Sequence, residues 1–356
     1  MRKLKLVISD LHVHTGARLP DGRRNVFEGF LEDALLVEFL EHFSTGEYAD
    51  DDVEVIANGD FFNLLEIELG TGEPTEAITE EVAVQHLRAV MKGHAQLMDA
   101  LRDFCERPGK KLTFIIGNHD AALLFGAVRA ELHKRISPRL ECRVDYSFDG
   151  VYLTHGHQYE FIHHFDMKSF TRRGPDGTVR LKLPYGALFV IQFLGAMKHR
   201  RSYIDKVIPF SQYLRWAFVN DHVFWWEMLI GIVRFWARNR FSHDAYRRRE
   251  FSLAPRRFAN AVNHKPLVAN ARAILRRTNY RIVILGHSHK LEYMMCGKDG
   301  EYFNSGSWLE QISLDVATLG RSRVRPYVRI DYIDGEPRAS HHNWVGRHVL
   351  SHPLIP

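Results

Sequence analysis

Apolar segments that end abruptly in metal-binding residue types are the feature that most limits how this sequence can fold. The clearest is residues 114–120, F-I-I-G-N-H-D, where an apolar run stops at a glycine and an amide, an imidazole and a carboxylate follow without a spacer. The run is typical of a buried strand. At the carboxyl end of such a strand in an α/β sheet, side chains face the crevice where ligands bind. Asn118 and His119 are therefore predicted to face a site.

Four further strand ends repeat this pattern. They are Asp10-Leu11-His12, Asn58-Gly59-Asp60, His155-Gly156-His157 and Gly286-His287-Ser288-His289. One such end could be a plain turn, since Asn and Gly are common turn residues, but five in one chain predict a shared site. Residues two apart on an extended backbone point to the same side. Asp10 and His12 are therefore predicted to hold one ion together, with a helix-capping Asp10 beside an incidental His12 as the alternative.

The donor types favour two cations. Imidazole suits zinc and iron, whereas carboxylate and amide oxygens also suit manganese. The set is too large for one ion, but two ions about 3.5 to 4 Å apart can share a bridging carboxylate. Such a pair activates a water and neutralises the charge that builds up on a phosphorus centre, so no protein nucleophile is required. We expect two divalent cations, manganese first, with iron or zinc as alternatives.

In chain order, the motifs D-x-H, G-D, G-N-H-D, H-G-H and G-H-x-H resemble those of the calcineurin-like metallophosphoesterase family, over about residues 1–180 and 280–335. The resemblance implies an α/β protein, a four-layer α/β/β/α sandwich that hydrolyses phosphoric esters or pyrophosphates with bound metals. It also implies that Asp60 bridges two ions. The first ion would be bound by Asp10, His12 and His289, and the second by Asn118, His155 and His287.

The resemblance gives His119 a catalytic role. It is similar to the family's non-ligand histidine, which contacts the phosphate and protonates the leaving oxygen, a task that suits an imidazole near neutral pH. Asp120 follows directly and would either orient His119 or cap the next helix. His14 and His157 extend two of the motifs without a ligand role, and we expect them to be structural or to contact substrate.

Residues 181–279 break the alternation of strands and helices and are predicted to form an inserted helical lid, called the insertion below. It separates the two parts of the predicted catalytic domain, 1–180 and 280–335, and 336–356 would be a C-terminal tail. Four of the six tryptophans lie in the insertion. Residues 198–277 carry 17 Lys and Arg against 5 Asp and Glu, whereas the rest of the chain carries 31 against 38. The basic character thus belongs to the insertion.

Apolar stretches of the insertion indicate a lipid-like substrate. Residues 183–197 are shorter than the ~20 residues of a membrane span and include Pro184. Residues 223–237 mix tryptophans with Glu227 and Arg234, which is typical of a helix in a membrane interface or beside an acyl pocket. The alternative is a helical pair that packs its aromatic residues against the core. We expect peripheral membrane contact through residues 183–240.

Among family members, this arrangement is similar to UDP-2,3-diacylglucosamine hydrolase. That enzyme usually has an arginine at the position of His119 and an aspartate at that of His157, so a relative acting on another substrate is the neighbouring possibility. The resemblance implies hydrolysis of a phosphodiester or pyrophosphate in a lipid-linked or nucleotide-linked substrate. The three cysteines form no closely spaced pair, and the start shows no apolar leader. We expect a cytoplasmic protein, peripheral at the inner membrane surface.

Other functional classes remain as alternatives. A nuclease or nucleotide phosphodiesterase would use the same metals, with the arginine runs 247–249 and 256–257 meeting phosphates. A protein phosphatase is disfavoured because residues 59–65 read G-D-F-F-N-L-L instead of G-D-x-V-D-R-G. A non-catalytic scaffold is expected to have lost ligands, whereas this sequence retains every one.

Overall fold

Buried side chains alternate along the first strand and divide the interior into two parts. The computed structural model describes residues 1–19, 21–69, 74–262, 267–297, 299–314 and 319–347, the side chains of 254–262 excepted. In it, β1 (Lys3–Ile8) turns Leu4 and Leu6 towards a layer of helices and Val7 towards a second sheet. Successive side chains of a strand point to opposite faces. This strand therefore needs an apolar layer on each side.

The first sheet has six strands. They are β1, β2 (Asp52–Asn58), β3 (Lys110–Ile115), β4 (Glu141–Arg143), β15 (Pro326–Ile333) and β16 (Glu336–Asn343), in the spatial order β16-β15-β1-β2-β3-β4. β1 to β4 are parallel, and β15 and β16 are antiparallel additions. Residues 336–343 of the expected C-terminal tail are thus a strand of this sheet, and Trp344, directly after it, packs into the core.

The second sheet has five strands. They are β5 (Asp145–Phe148), β6 (Val151–Thr154), β10 (Ile282–Leu285), β11 (Leu291–Met295) and β12 (Glu301–Ser305), in the order β11-β12-β10-β6-β5. β6, β10 and β12 are parallel. Val7 and Ile56 of the first sheet pack against Leu153 and Ile284 of the second. The two sheets therefore share one apolar layer.

Helices cover the outer faces of both sheets. The first sheet is covered by α1 (Asp33–His42), α2 (Glu80–Gly93), α3 (Ala95–Glu106) and α4 (Gly126–Arg135). The second is covered by α10 (Leu267–Arg277), whose Leu267 and Ala271 pack on Val283 and Leu285. The expected four-layer α/β/β/α architecture is confirmed. The sequence placed α10 in the insertion, but its packing makes it the outer layer of the sandwich.

Five helices and a π-helical turn make up most of the remaining insertion. They are α5 (Tyr185–Phe189), the π-helical turn Val190–Leu194, α6 (Gly195–Arg200), α7 (Phe210–Asn220), α8 (His222–Arg240) and α9 (Ala245–Val262). Phe193, Phe224 and Phe235 join the same apolar core as the helices on the first sheet. Within the described ranges, the structure has no helix that combines the length and the apolar character needed to cross a membrane.

Short elements complete the chain. A two-stranded sheet pairs β7 (Thr171–Arg173) with β8 (Val179–Leu181), and a three-stranded sheet joins β9 (Val207–Ile208), β13 (Gln311–Ser313) and β14 (Gly320–Ser322). Single 3-10 turns lie at Gly46–Tyr48, Ala121–Leu124, His157–Tyr159, Met167–Ser169 and Ile204–Lys206. The pairing of β9 with β13 attaches the insertion to the segment that follows the second sheet.

Three elements differ from the bounds that the sequence pattern predicts. Helical spacing of apolar residues predicts a helix over 27–43, but α1 begins only at Asp33, because the side chains of Asn25 and Glu28 accept hydrogen bonds from backbone amides of the preceding loop. The sequence also predicts a helix over 121–136, which is interrupted by the extended backbone of Phe125. A short strand predicted over 142–146 is two strands, β4 and β5, which belong to different sheets.

Candidate metal centre

Loops that leave β1, β2, β3, β6 and β10 meet at one edge of the two sheets. Within the first sheet, the backbone amides of Asp10 and His12 donate to the carbonyls of Gly59 and Asp60, at 3.1 and 2.9 Å. Between the sheets, the amide of His287 donates to Oδ2 of Asp10 at 3.0 Å. These bonds bring the predicted ligands of both sheets together.

Five of the predicted ligands have a left-handed backbone. The φ angles are 54° at Asp10, 51° at His12, 51° at Asp60, 69° at His287 and 58° at His289. This conformation costs a non-glycine residue about 1–2 kcal/mol. The expectation that Asp10 and His12 share a side because the chain is extended is therefore wrong. β1 ends at Ile8, and a tight loop directs the two side chains. Strain of this kind is typical of functional sites.

The first donor group consists of Asp10, His12 and His289. Nε2 of His289 lies 3.3 Å from Oδ1 of Asp10 and 3.1 Å from Nε2 of His12. Oδ1 of Asp10 lies 4.0 Å from Nε2 of His12. Ser9 donates to the other oxygen of Asp10 at 2.6 Å, which leaves Oδ1 free to face the imidazoles. These ligand atoms are close enough to bind one cation.

The second donor group consists of Asp60, His155 and His287, with Asn118 beside them in the cleft. Oδ2 of Asp60 lies 3.2 Å from Nε2 of His155. Nδ1 of His155 hydrogen-bonds with the carbonyl of Asn58 at 2.9 Å. Because a carbonyl only accepts, Nδ1 carries the proton and Nε2 faces the site as a donor atom. Such outer partners fix the orientation of ligand imidazoles.

Two glycines make room for the donors. A Cβ atom at Gly117 would lie 2.2 Å from Oδ1 of Asp60, and one at Gly59 would lie 2.3 Å from Nδ1 of His155. Neither contact is physically possible without movement of the ligand. The glycines in G-D and G-N-H-D are therefore required by the close approach of neighbouring loops to the ligand side chains.

The donor set fits bound cations. Oδ1 of Asp10, Oδ1 of Asn118 and Nε2 of His155 are fully buried and have no hydrogen-bond partner among the described residues. An unpaired buried polar atom costs about 1–3 kcal/mol, so three in one place need a compensating partner. Oxygen and imidazole nitrogen atoms are the ligands of zinc, iron and manganese, and a cation would satisfy all three.

Electrostatics within the cluster agree with a positive charge at its centre. Burial alone would lower the pKa of His155, but the carboxylates of Asp60 and Asp10 raise it to about 10. Against its own burial, Asp60 has a pKa held well below its usual range by His155, His119 and His12. The two carboxylates thus stabilise positive charge here, which a proton or a metal cation can supply.

His119 lies beside the two donor groups. Its backbone amide donates to Oδ1 of Asp60 at 2.8 Å, and its Nδ1 lies 3.2 Å from Oδ1 of Asn63. Its ring meets that of His12 edge-on, with 4.5 Å between the ring centroids. Burial lowers the pKa of His119. Asn63 is therefore the side chain that orients His119.

Neither role considered for Asp120 is seen. Its carboxylate accepts hydrogen bonds from the backbone amides of Phe61 at 2.9 Å and Gly117 at 2.5 Å. It makes no side-chain cap on the turn that follows. Burial, and then the charge of Asp60, raise the pKa of Asp120 to about 7. Asp120 thus ties the loops after β2 and β3 together.

Several residues of the cleft were missed by the sequence reasoning. Glu160 and His163 form a further group with His287, in which Nε2 of His287 lies 2.5 Å from Oε2 of Glu160. Their only sequence signal is a Glu and a His three residues apart soon after H-G-H.

His157 is fully buried and stacks on Phe165. It is part of the packing behind His155.

The insertion forms the far wall of the cleft, which encloses about 230 Å³. Besides the donor residues and His119, the lining contains both apolar and charged side chains. The apolar ones are Phe27, Val190, Leu194, Ile208 and Leu309, and the charged ones are Glu66, Lys198, Asp205, Lys206 and Glu310. Away from the metal-binding groups, the cleft therefore has a mixed apolar and charged lining.

A family model described as calcineurin-like phosphoesterase matches residues 5–291. Among solved structures, a predicted phosphoesterase from Streptococcus pneumoniae TIGR4 is 11% identical, with a TM-score of 0.32, and the match covers 99% of this chain and 97% of that one. Zinc-bound Vps29 from Entamoeba histolytica is 15% identical, with a TM-score of 0.32 and coverage of 99% and 98%. No curated protein is similar enough to count as a match.

Proposed function

The chain belongs to the calcineurin-like phosphoesterase family, whose match spans residues 5–291, and from this premise we propose that it is a two-metal hydrolase of phosphodiester or pyrophosphate bonds. Membership makes it a metal-dependent phosphoester hydrolase. What we propose beyond this is the number of cations, the type of bond that is hydrolysed and the class of substrate. We place the first cation on Asp10, His12 and His289, the second on Asn118, His155 and His287, and Asp60 between them.

The position of Asp60 carries the proposal. Its Oδ2 lies 3.2 Å from Nε2 of His155 in one donor group and 3.8 Å from Nε2 of His12 in the other. Its Oδ1 is occupied by the backbone amide of His119, so one oxygen is left to serve both groups. When bound, a pair of cations would supply an activated water and stabilise charge on a phosphoryl group.

The protein's own residues supply positioning and a proton. His119 lines the cleft. Its Nδ1 hydrogen-bonds with Asn63, and its backbone amide donates to Asp60, so the position of the imidazole is tied to that of the proposed bridging carboxylate. The remaining nitrogen of His119, Nε2, faces the cleft; in the imidazolium form both ring nitrogens are protonated, and the proton on Nε2 is the one that would pass to the leaving oxygen. Val190, Leu194 and Ile208 line the same cleft and would reduce the access of water to the scissile bond, which strengthens these interactions.

The size of the cleft limits what it encloses. Its volume of about 230 Å³ is below the range of roughly 300–1,000 Å³ that encloses a drug-sized ligand. The cleft therefore surrounds the phosphate and the groups next to it, and not a whole lipid. Acyl chains of a lipid-linked substrate would extend along the outside of the insertion.

An exposed apolar stripe on α7 and α8 supports a membrane-bound substrate. Trp216, Val219, Val223, Trp226, Ile230 and Val233 follow each other at intervals of three or four residues and are all exposed. The opposite side of α8 packs Phe224, Met228 and Phe235 into the core. The helix α8 thus combines both predicted arrangements. One side packs into the core, and the other presents apolar residues to solvent.

Exposed arginines accompany the stripe, notably Arg215 and Arg234. Tryptophan and arginine beside aliphatic residues are the composition of helices that lie in the interface of anionic membranes. We propose that α7 and α8 rest on such a surface and present the cleft to a lipid-linked phosphodiester or pyrophosphate, as in a UDP-2,3-diacylglucosamine hydrolase. The protein would then work at the cytoplasmic face of the membrane.

The nuclease alternative has weaker support. Arg247, in the run proposed to meet phosphates, is engaged by Glu76 and by Asp244. The side chains of Arg256 and Arg257 lie outside the described residues. An arginine already engaged by carboxylates contributes less to binding a phosphate backbone, so Arg247 adds little affinity for nucleic acid, whereas Arg248 and Arg249 are exposed.

Metal content and substrate preference together test the proposal. Protein stripped with a chelator is reloaded with manganese, iron or zinc, and the bound metal is counted while hydrolysis of a chromogenic diester, a chromogenic monoester and a lipid-linked pyrophosphate is followed. We expect two ions per chain, faster turnover of the diester than of the monoester, and turnover of the lipid substrate. Saturation at one ion, or preference for the monoester, would contradict it.

A further inference from the structure

A buried lysine of the insertion forms ion pairs close to the cleft. Lys198, at the end of α6, is 4% exposed. Its Nζ lies 3.2 and 3.3 Å from the two carboxylate oxygens of Glu66, which is itself 1% exposed, and 2.9 Å from Oδ2 of Asp205. Burial alone would lower the pKa of Lys198, but Asp205 and Glu66 raise it. The lysine is therefore charged, and its ammonium group is paired with both Glu66 and Asp205.

Glu66 passes this constraint to Asn63. Nδ2 of Asn63 donates to Oε2 of Glu66 at 2.8 Å, and Oδ1 of Asn63 accepts from the backbone amide of Leu65 at 3.3 Å. An ionised carboxylate only accepts, and a backbone amide only donates. Both contacts require the same orientation of the Asn63 amide, with its oxygen directed away from Glu66.

The orientation of Asn63 decides which nitrogen of His119 carries the proton. Oδ1 of Asn63 faces Nδ1 of His119 at 3.2 Å, and an amide oxygen can only accept. Nδ1 must therefore hold a hydrogen. In a neutral imidazole the other nitrogen is then unprotonated, so Nε2 is the atom left for the cleft, where it can take up the proton that the imidazolium would pass to the leaving oxygen.

We propose that Lys198 and Glu66 are positioning residues which, through Asn63, keep the proton of His119 on Nδ1 and its Nε2 available to substrate. The residues lie on three separate segments, α6 and the loops after β2 and β3. Formation of the insertion is thereby coupled to the state of the imidazole beside the metals. The kinetic part of this inference rests on the proposed function, whereas the tautomer is a property of the folded chain.

Backbone contacts hold Glu66 in place from the other side. Nε2 of His14 hydrogen-bonds with the carbonyl of Glu66 at 3.2 Å, and Nδ1 of the same ring lies 3.1 Å from Nδ2 of Asn25. His14, one of the histidines without an assigned role, thus supports the positioning chain from behind. Among the described residues of this positioning series, from Lys198 to His119, only His119 hydrogen-bonds with a predicted metal ligand.

The tautomer can be measured by NMR on the full chain with 15N-labelled histidine, loaded with zinc because zinc is diamagnetic. The His119 signals are assigned by their loss in His119→Gln. In the wild type we expect the proton on Nδ1. Asn63→Leu removes both polar links, and Lys198→Met removes the ammonium group that holds the side chain of Glu66 in place. Each should give a mixture of tautomers, whereas Lys198→Arg should restore the wild-type signal.

Turnover of a chromogenic diester gives the second measurement. Misplacement of a catalytic group costs up to ~100-fold in rate, so Asn63→Leu and Lys198→Met should lower kcat about 10- to 100-fold. Zinc content should change little, because the predicted metal ligands are unaltered, and the effect on KM should be smaller than that on kcat. Lys198→Arg should recover most of kcat, which a loss of general stability would not predict.

Lys5→Met is the matched control. Lys5 is also buried and is ion-paired with Glu54, but the pair lies in the middle of β1 and β2, away from the cleft. The Lys5→Met substitution should leave the His119 signals and kcat unchanged. The inference is overturned if wild-type His119 carries its proton on Nε2, a result that needs no variant, or if Asn63→Leu leaves the tautomer intact.

The two proposals fail separately. If the wild type hydrolyses no diester with any metal while Asn63→Leu still mixes the tautomers, the proposed function is wrong and the positioning chain stands. If the diester is hydrolysed but Lys5→Met and Lys198→Met lower kcat equally, the positioning chain is wrong and the function stands.

Discussion

Oδ2 of Asp60 lies 3.2 Å from Nε2 of His155, and the two residues come from different sheets. Asp60 follows β2 in the first sheet, and His155 follows β6 in the second. Because neither sheet contains both donor groups, the site forms only where the sheets pack together. Its integrity therefore reports on the packing of the whole sandwich.

Asp60→Asn should abolish function by removing the shared ligand. The amide keeps the shape of the side chain but has no charge to offer two cations. Two-metal stabilisation is worth several kcal/mol, so we expect a loss of roughly 1,000-fold or more in kcat/KM and fewer than two ions per chain. Asp149→Asn, which changes a half-exposed residue far from the cleft, is the control. Full activity of Asp60→Asn after metal reloading would rule out the bridge.

His119→Gln should separate catalysis from metal binding. The glutamine can still hydrogen-bond with Asn63 but cannot transfer a proton. General acid catalysis contributes about 100- to 10,000-fold, and kcat should fall within that range while the metal count stays at two. The loss should shrink on a diester with a better leaving group, which needs less protonation. Equal loss on both substrates would argue against the acid role.

Gly117→Ala tests the close approach at Asp60. The new methyl would lie 2.2 Å from Oδ1 of Asp60, so the ligand or the loop must move. Overpacking of this kind costs about 1–3 kcal/mol, and metal affinity should fall with it. Gly126→Ala is the matched control, because a Cβ there meets only Glu80 at 3.9 Å. Denaturant unfolding and metal titration should show a clear loss only at position 117.

Because of His94, the free energy of unfolding should fall at alkaline pH. Burial alone would lower its pKa, but Asp33 at 2.6 Å and Glu28 at 3.0 Å raise it to about 9. Relative to about 6.5 in an unfolded chain, this shift is worth roughly 3 kcal/mol. Because the folded pKa is the higher one, the contribution is complete below about pH 6.5 and is lost as the pH rises through about 9.

The measurement for His94 is the free energy of unfolding of wild type and His94→Gln at pH 6 and pH 10. The variant should be less stable at pH 6, and the difference should shrink at pH 10. His86 has a pKa lowered to about 4 by burial, so it contributes with the opposite sign, and His86→Gln should not reproduce the alkaline change. A pH-independent difference for His94→Gln would contradict the assigned ion pairs.

Trp226→Glu should weaken membrane binding. Burying one large apolar side chain is worth about 1.5–3 kcal/mol, so the affinity for anionic vesicles should fall at least about tenfold. Leu31→Glu is the control, because both side chains are 55% exposed but Leu31 lies outside the insertion. The wild type could instead fail to bind vesicles and form dimers that Trp226→Glu dissociates. That result would mean that the stripe binds a second copy of the chain and not a membrane.

The strand ends could be predicted from the sequence because their signals are local. An apolar run that stops at Gly117 or Gly59 identifies the end of a buried strand, and parallel strands place such ends at one edge. The same reasoning misjudged Asp10 and His12. It assumed an extended chain where hydrogen bonds to the neighbouring loop impose a left-handed backbone. Such bonds depend on tertiary packing and leave no trace in the residue pattern.

Residues far apart in sequence were beyond prediction. Lys198 is an ordinary basic residue in a basic segment, and only its burial against Glu66, 132 positions away, reveals its role. Glu160 gains meaning only from its contact with His287. For α8, the sequence left core packing and an outward face as alternatives, because it does not reveal which side of a helix will be covered.

The spread of the donors along the chain orders events during synthesis. Asp10 is synthesised before the insertion, whereas His287 and His289 follow it. Translation adds about 5–20 residues per second, so these donors become available well apart in time. The strands β15 and β16 that complete the first sheet are later still, so the proposed cation site can form only near the end of synthesis of this region. We expect a chain truncated before residue 287 to bind fewer cations than the full chain.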